Sequence, residues 1–423
     1  MCPHPPTAIY KSIAENPELP QAARDAARIE LEHAELQPLL QKAAAATIAP
    51  PSGGHATFTC TIYSLENKET LENIRQRNGD PSKITNWKEI IAFPGIKVQD
   101  TTGFVIKGPD GNVVNDPARQ LTFDRFQAVH KFYKDVFGRN SIDGNGVEIR
   151  ASIHLARGYN NAYWDTEAHQ MVFGDSGRFD GRGWLELTPA ELAALTAGKD
   201  GKTAEKDIRH FASMGAWMNN YDIDTIGHEL THGVVQFSAA LGQKQHEASN
   251  GPTASEADTL NEHIADCFAI MLKHYVNRHT AETGNWHFSP GQWSAFAMRS
   301  NKWDEANNYC RTFTIPPNIK TSPDSGAKHW RNARRFDEGG YLDPHENCGI
   351  PSHAFYLAAL QFRGNTWETV GKIWYAGLTD KELSLPENQT FLGWKRITLK
   401  HAEKIFGARG KTILENAWSN VGL

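Results

Sequence analysis

The sequence predicts an α+β protein in two unequal halves, with residues 51–225 mixing strands and helices and residues 226–423 mainly helical. Three observations carry this expectation. Short stretches such as Thr57–Tyr63 alternate apolar and polar side chains, as a half-buried strand does. From residue 222 the apolar positions recur with the helical period nearly to the end, without a strand-rich segment. The motif Ile226-Gly227-His228-Glu229-Leu230-Thr231-His232-Gly233 lies where the first pattern gives way to the second. An α+β half followed by an α half has one obvious place for a site, the cleft between them.

With 423 residues the chain has ample material for a large core. A formal net charge of −5 gives no reason to expect nucleic acid or an anionic membrane as partner. No apolar run approaches the length of a transmembrane helix. The start, Met1-Cys2-Pro3-His4-Pro5-Pro6, lacks a basic n-region and an apolar h-region. The expectation is therefore synthesis in the cytoplasm without a secretory signal peptide, with any export by another route. The five cysteines are widely spaced and odd in number, which predicts free thiols rather than a disulfide framework. A monomer is expected.

Residues 1–50 read as a separate small unit, with helical stretches from about Tyr10 and from Gln21 to about Ala46. The segment Ala43–Gly54 is small, Pro/Gly-rich and uncharged, and reads as an exposed linker. In the second unit, Phe126–Phe137 has helical periodicity, while Val147–Leu155 and Met171–Asp175 read as strands. Leu185 to about Lys206 is polar and Ala-rich, as in a surface insertion. Helices are predicted over 222–241, 258–278, 351–363, 368–377, 391–406 and 410–420, with Asp222 or Asp224 as first N-cap and Gly242 as first stop.

The chemistry starts at His228-Glu229-x-x-His232. Positions four apart on a helix are about 40° apart around the axis and about 6 Å along it. Two imidazoles can therefore reach one metal, while Glu229 on the adjacent face reaches a metal-bound water. Downstream, Asn261-Glu262-His263-Ile264-Ala265-Asp266 opens the next helical pattern, with Glu262 and Asp266 sharing a face. A neighbouring helix can supply the carboxylate that such a metal still needs. Asp266 and Asn261 can accept from the second ring nitrogens.

On these residues and several further ordered segments the chain resembles the thermolysin-like zinc metallopeptidases, over most of residues 56–423. Gly158–Trp164 resembles the family's edge-strand segment, Asp222–Gly233 its zinc helix, and Asn261–Asp266 the helix of the third ligand. Ala297-Met298-Arg299-Ser300 resembles the segment of the substrate-binding arginine, and His345–Tyr356 the catalytic-histidine loop with its helix. Pro5–Ile9 and the following helical pattern resemble the compact propeptide of the protealysin-like branch.

The resemblance implies a two-domain zincin architecture: residues 1–50 a short propeptide, 51–225 an N-terminal α/β peptidase domain, and 226–423 a C-terminal α-helical domain. It implies one Zn²⁺ held by His228, His232 and Glu262, with Glu229 as general base and His345 as hydrogen-bond donor to the oxyanion. It places Asn161, the Ala162 backbone and Arg299 on the substrate, with Met298 and Tyr163 lining the site. The implied activity is a zinc endopeptidase made as a zymogen, its propeptide acting in cis. It would cut polypeptides on the amino side of large hydrophobic residues. An exopeptidase, or an impaired relative that binds peptides, are the alternatives.

The chain also departs from the family pattern. The His232–Glu262 gap is about ten residues longer, and no tyrosine lies between Leu241 and Asn261 to share the oxyanion with His345. Gly340 stands where an aspartate would orient the histidine; Asp337 and Asp343 are the nearby substitutes. Lys273 stands where a calcium-binding glutamate is expected, so calcium is doubtful and an Asp224–Lys273 ion pair is the expected replacement. Cys2 reads as an incidental terminal cysteine, the alternative being a thiolate that occupies the fourth zinc position.

Overall fold

The computed structural model describes residues 15, 58–65, 95–107, 110–114, 116–155, 162–174, 221–242, 255–290, 309–314, 328 and 344–423. The expectations for the N-terminal unit, the Leu185–Lys206 stretch, Asn161, Met298, Arg299 and Asp337–Asp343 lie outside them.

The first half holds strands β1 (Cys60–Ser64) and β2 (Ile96–Asp100), helix α1 (Pro117–Phe137), and strands β3 (Ile149–Ile153), β4 (Ala162–Asp165) and β5 (Gln170–Phe173). They form one five-stranded sheet in the order β2-β1-β3-β5-β4. The β1–β3 and β3–β5 pairs are parallel; β1–β2 and β4–β5 are antiparallel. This order puts β4, which holds Ala162–Trp164, at the end of the sheet among the described residues.

Helix α1 begins nine residues earlier than its apolar pattern suggests. Its start is local chemistry: Asp116 accepts from the Arg119 amide at 3.3 Å, and Pro117 takes the first helical position, where no N–H is needed. Gly138 ends it in the left-handed region at φ 67°, its amide on Lys134 and Tyr133 carbonyls. α1 packs between the sheet and the next helix, α2 (Ile223–Gln236), where Tyr133 Oη lies 2.8 Å from Thr231 Oγ1.

α2 is capped by Asp222, which accepts from the Thr225 amide at 2.8 Å, and every residue from Asp224 to Val235 is buried. A helix buried on all sides belongs to a core. It stops at Gln236, short of the 241 expected, although Gly242 does adopt φ 79°. The amides of Ser238, Ala239 and Ala240 all converge on the Val235 carbonyl, and Ala240 turns into the left-handed region at φ 50°. That turn cuts the helix off before the glycine.

The second half continues with α3 (Glu256–Asn277), β6 (His287–Phe288), β7 (Arg311–Thr312), α4 (Pro344–Asn347), α5 (Gly349–Phe362), α6 (Val370–Leu378) and α7 (Phe391–Asn420). α3 opens with a reciprocal capping box between Ser255 and Asp258. β6 and β7 pair antiparallel. Two-residue strands are too short to show alternation, so the sequence shows no sign of them. The helices expected over 391–406 and 410–420 are halves of α7, broken at Gly407 with φ 67° and ψ −163°. Trp374, Trp394 and Trp418 are fully buried between α6 and α7. Each such side chain contributes roughly 1.5–3 kcal/mol of burial or more.

Cys60, Cys267, Cys310 and Cys348 are free and buried. Among the described residues no helix is long and apolar enough to cross a membrane.

Candidate active site

The site is built where α2 lies on α3. Gly227 permits this approach, since a Cβ there would sit 2.7 Å from Leu272 Cδ2. From the next residue, His228, and from His232 one turn later, two rings project from the same side of α2, with Nε2 atoms 3.0 Å apart and ring planes at 89°. Both residues are buried.

The other ring nitrogens face acceptors on α3. His228 Nδ1 lies 2.8 Å from Asp266 Oδ1, and His232 Nδ1 lies 2.9 Å from Asn261 Oδ1. The acceptor at His232 Nδ1 selects the tautomer whose Nε2 lone pair points away from it, towards the shared centre, and the Asp266 carboxylate stands beside His228 Nδ1. Glu262 enters from the first turns of α3. Its Oε2 is 3.2 Å from His228 Nε2, and its Oε1 is 3.7 Å from His232 Nε2. His345, on α4, brings Nε2 to 2.9 Å from Glu262 Oε2.

Glu229 also lies close, with one donor atom each from His228, Glu229 and His232 within 4.8 Å of one another. The two carboxylates differ in their other contacts. Glu229 Oε2 accepts the Trp164 amide of β4 at 2.9 Å, whereas Glu262 Oε2 is buried without a hydrogen bond of proper direction. Glu262 is thus the better third donor for a metal, and Glu229 is tethered beside it. Two imidazole Nε2 atoms and a carboxylate, each imidazole backed by an acceptor, form the donor set that suits zinc with one position open.

Burial pushes the Glu262 carboxyl up, but the histidines around it (His345 first, then His232 and His228) outweigh this and hold it well below the usual range. Burial alone would push His228 down; Asp266 and Glu262 outweigh it and raise the ring. Burial drives His232 well below its ordinary value. The site therefore favours an ionised Glu262, as a ligand must be.

Ala162 lies buried on β4, paired across from Phe173, and Tyr163 is half-buried beside it. Asn161 and Arg299 fall outside the described residues. Lys273 Nζ lies 2.7 Å from Asp224 Oδ2, both side chains buried, so the expected ion pair is present.

Three contributors escaped the sequence reading. Arg311 of β7 grips Asp266 with Nε at 2.8 Å from Oδ2 and Nη2 on Oδ1, and stacks over Phe288. His263 bonds to Ser352 Oγ at 2.9 Å and accepts from Trp374 Nε1 at 2.9 Å, locking α3 against α5 and α6. Trp164 supplies the amide on Glu229. The histidine beside Glu262 was visible as a residue, but nothing local marked any of these long-range partners.

Comparison with known proteins identifies the family. Residues 61–183 match the family model of the thermolysin metallopeptidase catalytic domain, and residues 254–423 that of its alpha-helical domain. His228–His232 lie between the two matches. The protease PrtS of Photorhabdus sp. (strain Az29) is 30% identical over 350 residues, covering 80% of this chain and 76% of that protein. An extracellular metalloprotease of Pectobacterium carotovorum subsp. carotovorum is 28% identical over 329 residues, covering 77% and 78%. The solved precursor of protealysin, a metalloproteinase from Serratia proteamaculans, superposes with a TM-score of 0.63 at 25% identity, over 99% of this chain and 98% of that one. The chain belongs to the thermolysin family of zinc metallopeptidases, hydrolases whose substrates are polypeptides.

Proposed function

We propose that this chain is a zinc endopeptidase made as a zymogen, with residues 1 to about 50 as its propeptide. The observation that carries the catalytic reading is the convergence of His228 Nε2, His232 Nε2 and Glu262 beside a tethered Glu229. His228, His232 and Glu262 would hold the ion, with Asp266 and Asn261 fixing the two rings. Bound there, zinc supplies a Lewis acid that lowers the pKa of a water and polarises the scissile carbonyl.

The remaining work falls to the chain's own groups. Glu229 takes the proton of the attacking water on its carboxylate and delivers it to the leaving amine. Its burial at 0% exposure keeps bulk water from competing for that proton. His345 donates from its ring to the oxygen that becomes negative. Substrate lies extended along the outer side of β4, where Asn161 and the Ala162 backbone bind its main chain and Arg299 a carbonyl. Cleavage on the amino side of a large hydrophobic residue is the specificity that the family resemblance implies.

The match over 99% of the chain to a metalloproteinase precursor supports the zymogen reading. The Asp224–Lys273 pair supports a second inference: an ammonium group, rather than a calcium ion, neutralises Asp224.

The test expresses the full chain beside its Glu229→Ala variant and follows mass and cleavage of a mixed peptide library, with and without a zinc chelator. Wild type should trim itself near residues 43–56 and cut before hydrophobic residues, while the variant and the chelated sample do neither. Identical behaviour of wild type and variant would sink the proposal.

A further inference from the structure

Glu229 is buried, and a buried carboxylate that must move a proton needs its oxygens held in place. The holding group is the amide of Trp164, 65 residues earlier in the chain, whose N–H reaches Glu229 Oε2 at 2.9 Å. In β4 this amide points towards α2, so it is occupied by the enzyme's own carboxylate. A substrate strand laid along β4 would therefore register on Ala162 rather than on the Trp164 amide.

β4 stands at the end of the described sheet, and Trp164 is fixed against α2. The end of α2 does this from two residues. Gly233 lets the helix backbone lie on the Trp164 indole; a Cβ there would stand 3.0 Å from Cζ2 and 3.1 Å from Cε2. Gln236, one turn further, uses both ends of its amide. Its Oε1 accepts from Trp164 Nε1 at 2.8 Å, and its Nε2 donates to the Thr166 carbonyl at 2.8 Å, just beyond β4.

We propose that Gln236 is a positioning residue for the general base. It seats the Trp164 indole on α2, and the seated strand presents the Trp164 amide to Glu229. The side chain sits two turns from the glutamate, and its amide bonds to Trp164 and Thr166. The proposal rests on Glu229 acting as the base.

The test uses the full chain, matured and loaded with zinc, in wild-type form and as Gln236→Met, Gln236→Glu, Trp164→Phe and the Trp164→Phe/Gln236→Met double variant. A fluorogenic peptide with a large hydrophobic residue after the scissile bond gives kcat and KM, and zinc per chain is measured on the same samples. Gln236→Met should lower kcat by about 10-fold or more, because small displacements at a reacting centre cost that much. KM should stay within about 2-fold, as expected for an interaction that matters only in the transition state. Zinc should stay at one per chain. Gln236→Glu keeps the acceptor for the indole and should recover most of the loss. Trp164→Phe should lower kcat alone, and the double variant should be no worse than its poorer parent, since both break one linkage.

An unchanged kcat in Gln236→Met, a Glu variant no better than Met, independent losses in the double variant, or a loss that tracks missing zinc each overturns the proposal. Glu229→Gln separates the two readings. If it stays fully active, the base assignment fails; if it is inactive while Gln236→Met equals wild type, only the positioning role fails.

Discussion

Replacing Lys273 by Met removes the only ammonium seen beside Asp224 among the described residues. Nζ lies 2.7 Å from Asp224 Oδ2 and also donates to the His287 carbonyl, while Asp224 receives the Ser289 amide at 2.9 Å. The two side chains are 7% and 2% exposed, so solvent does little to screen the charge left behind. Breaking one partner out of a buried pair costs about 3–5 kcal/mol. For a domain of this size each kcal/mol moves the melting temperature by roughly 2–4 °C, which predicts a fall of roughly 6–20 °C. The assay is thermal unfolding in a Glu229→Ala background, where self-cleavage is suppressed. Replacing both partners, as in Asp224→Leu/Lys273→Met, should return most of the loss, because an apolar pair leaves no uncompensated charge. A shift of under about 2 °C for Lys273→Met, or a double variant as damaged as the single, would refute the reasoning.

Two further outcomes follow from the same site. Asn261→Ala removes the acceptor at His232 Nδ1 and should weaken zinc about 10–100-fold with the fold intact, read by competition with a chromogenic chelator; unchanged affinity would deny Asn261 its role. Asp222 is pushed up to about 6 by burial and by the Asp224 charge, against Thr225 and Lys273, which act the other way, with the Ser289 hydroxyl also on it. A carboxyl whose folded pKa is raised favours the folded state at low pH, and that contribution is lost as pH rises from about 4 through about 6. Asp222→Asn should therefore gain in melting temperature relative to its parent at pH 7.5 compared with pH 5; a difference independent of pH would count against the shifted carboxyl.

Much of the site is legible because its spacing is local. His228 and His232 are one helical turn apart, and Asn261, Glu262 and Asp266 lie within six residues at the start of one helix. Such patterns survive whatever the rest of the chain does, because helix geometry fixes them. The Asp224–Lys273 pair was reachable in the same way, as a charge reversal at a position where a carboxylate was expected. The boundaries were less legible. α1 starts at Asp116–Pro117, in turns too polar to show the apolar period, and α2 ends at a turn built on the Val235 carbonyl rather than at Gly242.

By itself, the sequence determined which histidines share a helix face, which later helix offers further carboxylates beside an asparagine, and the broad split into a sheet-bearing half and a helical half. The tertiary structure gave the two carboxylates different surroundings. Glu229 and Glu262 are both near the imidazoles, and the Trp164 amide, arriving from a strand 65 residues away, reaches Glu229. It also decided what stands behind the site: Arg311 on Asp266 across 45 residues, and Gln236 between an indole and a carbonyl about 70 residues upstream. Periodicity along the chain encodes which face a side chain occupies. Which distant group meets it there depends on how the layers pack, and no local pattern carries that.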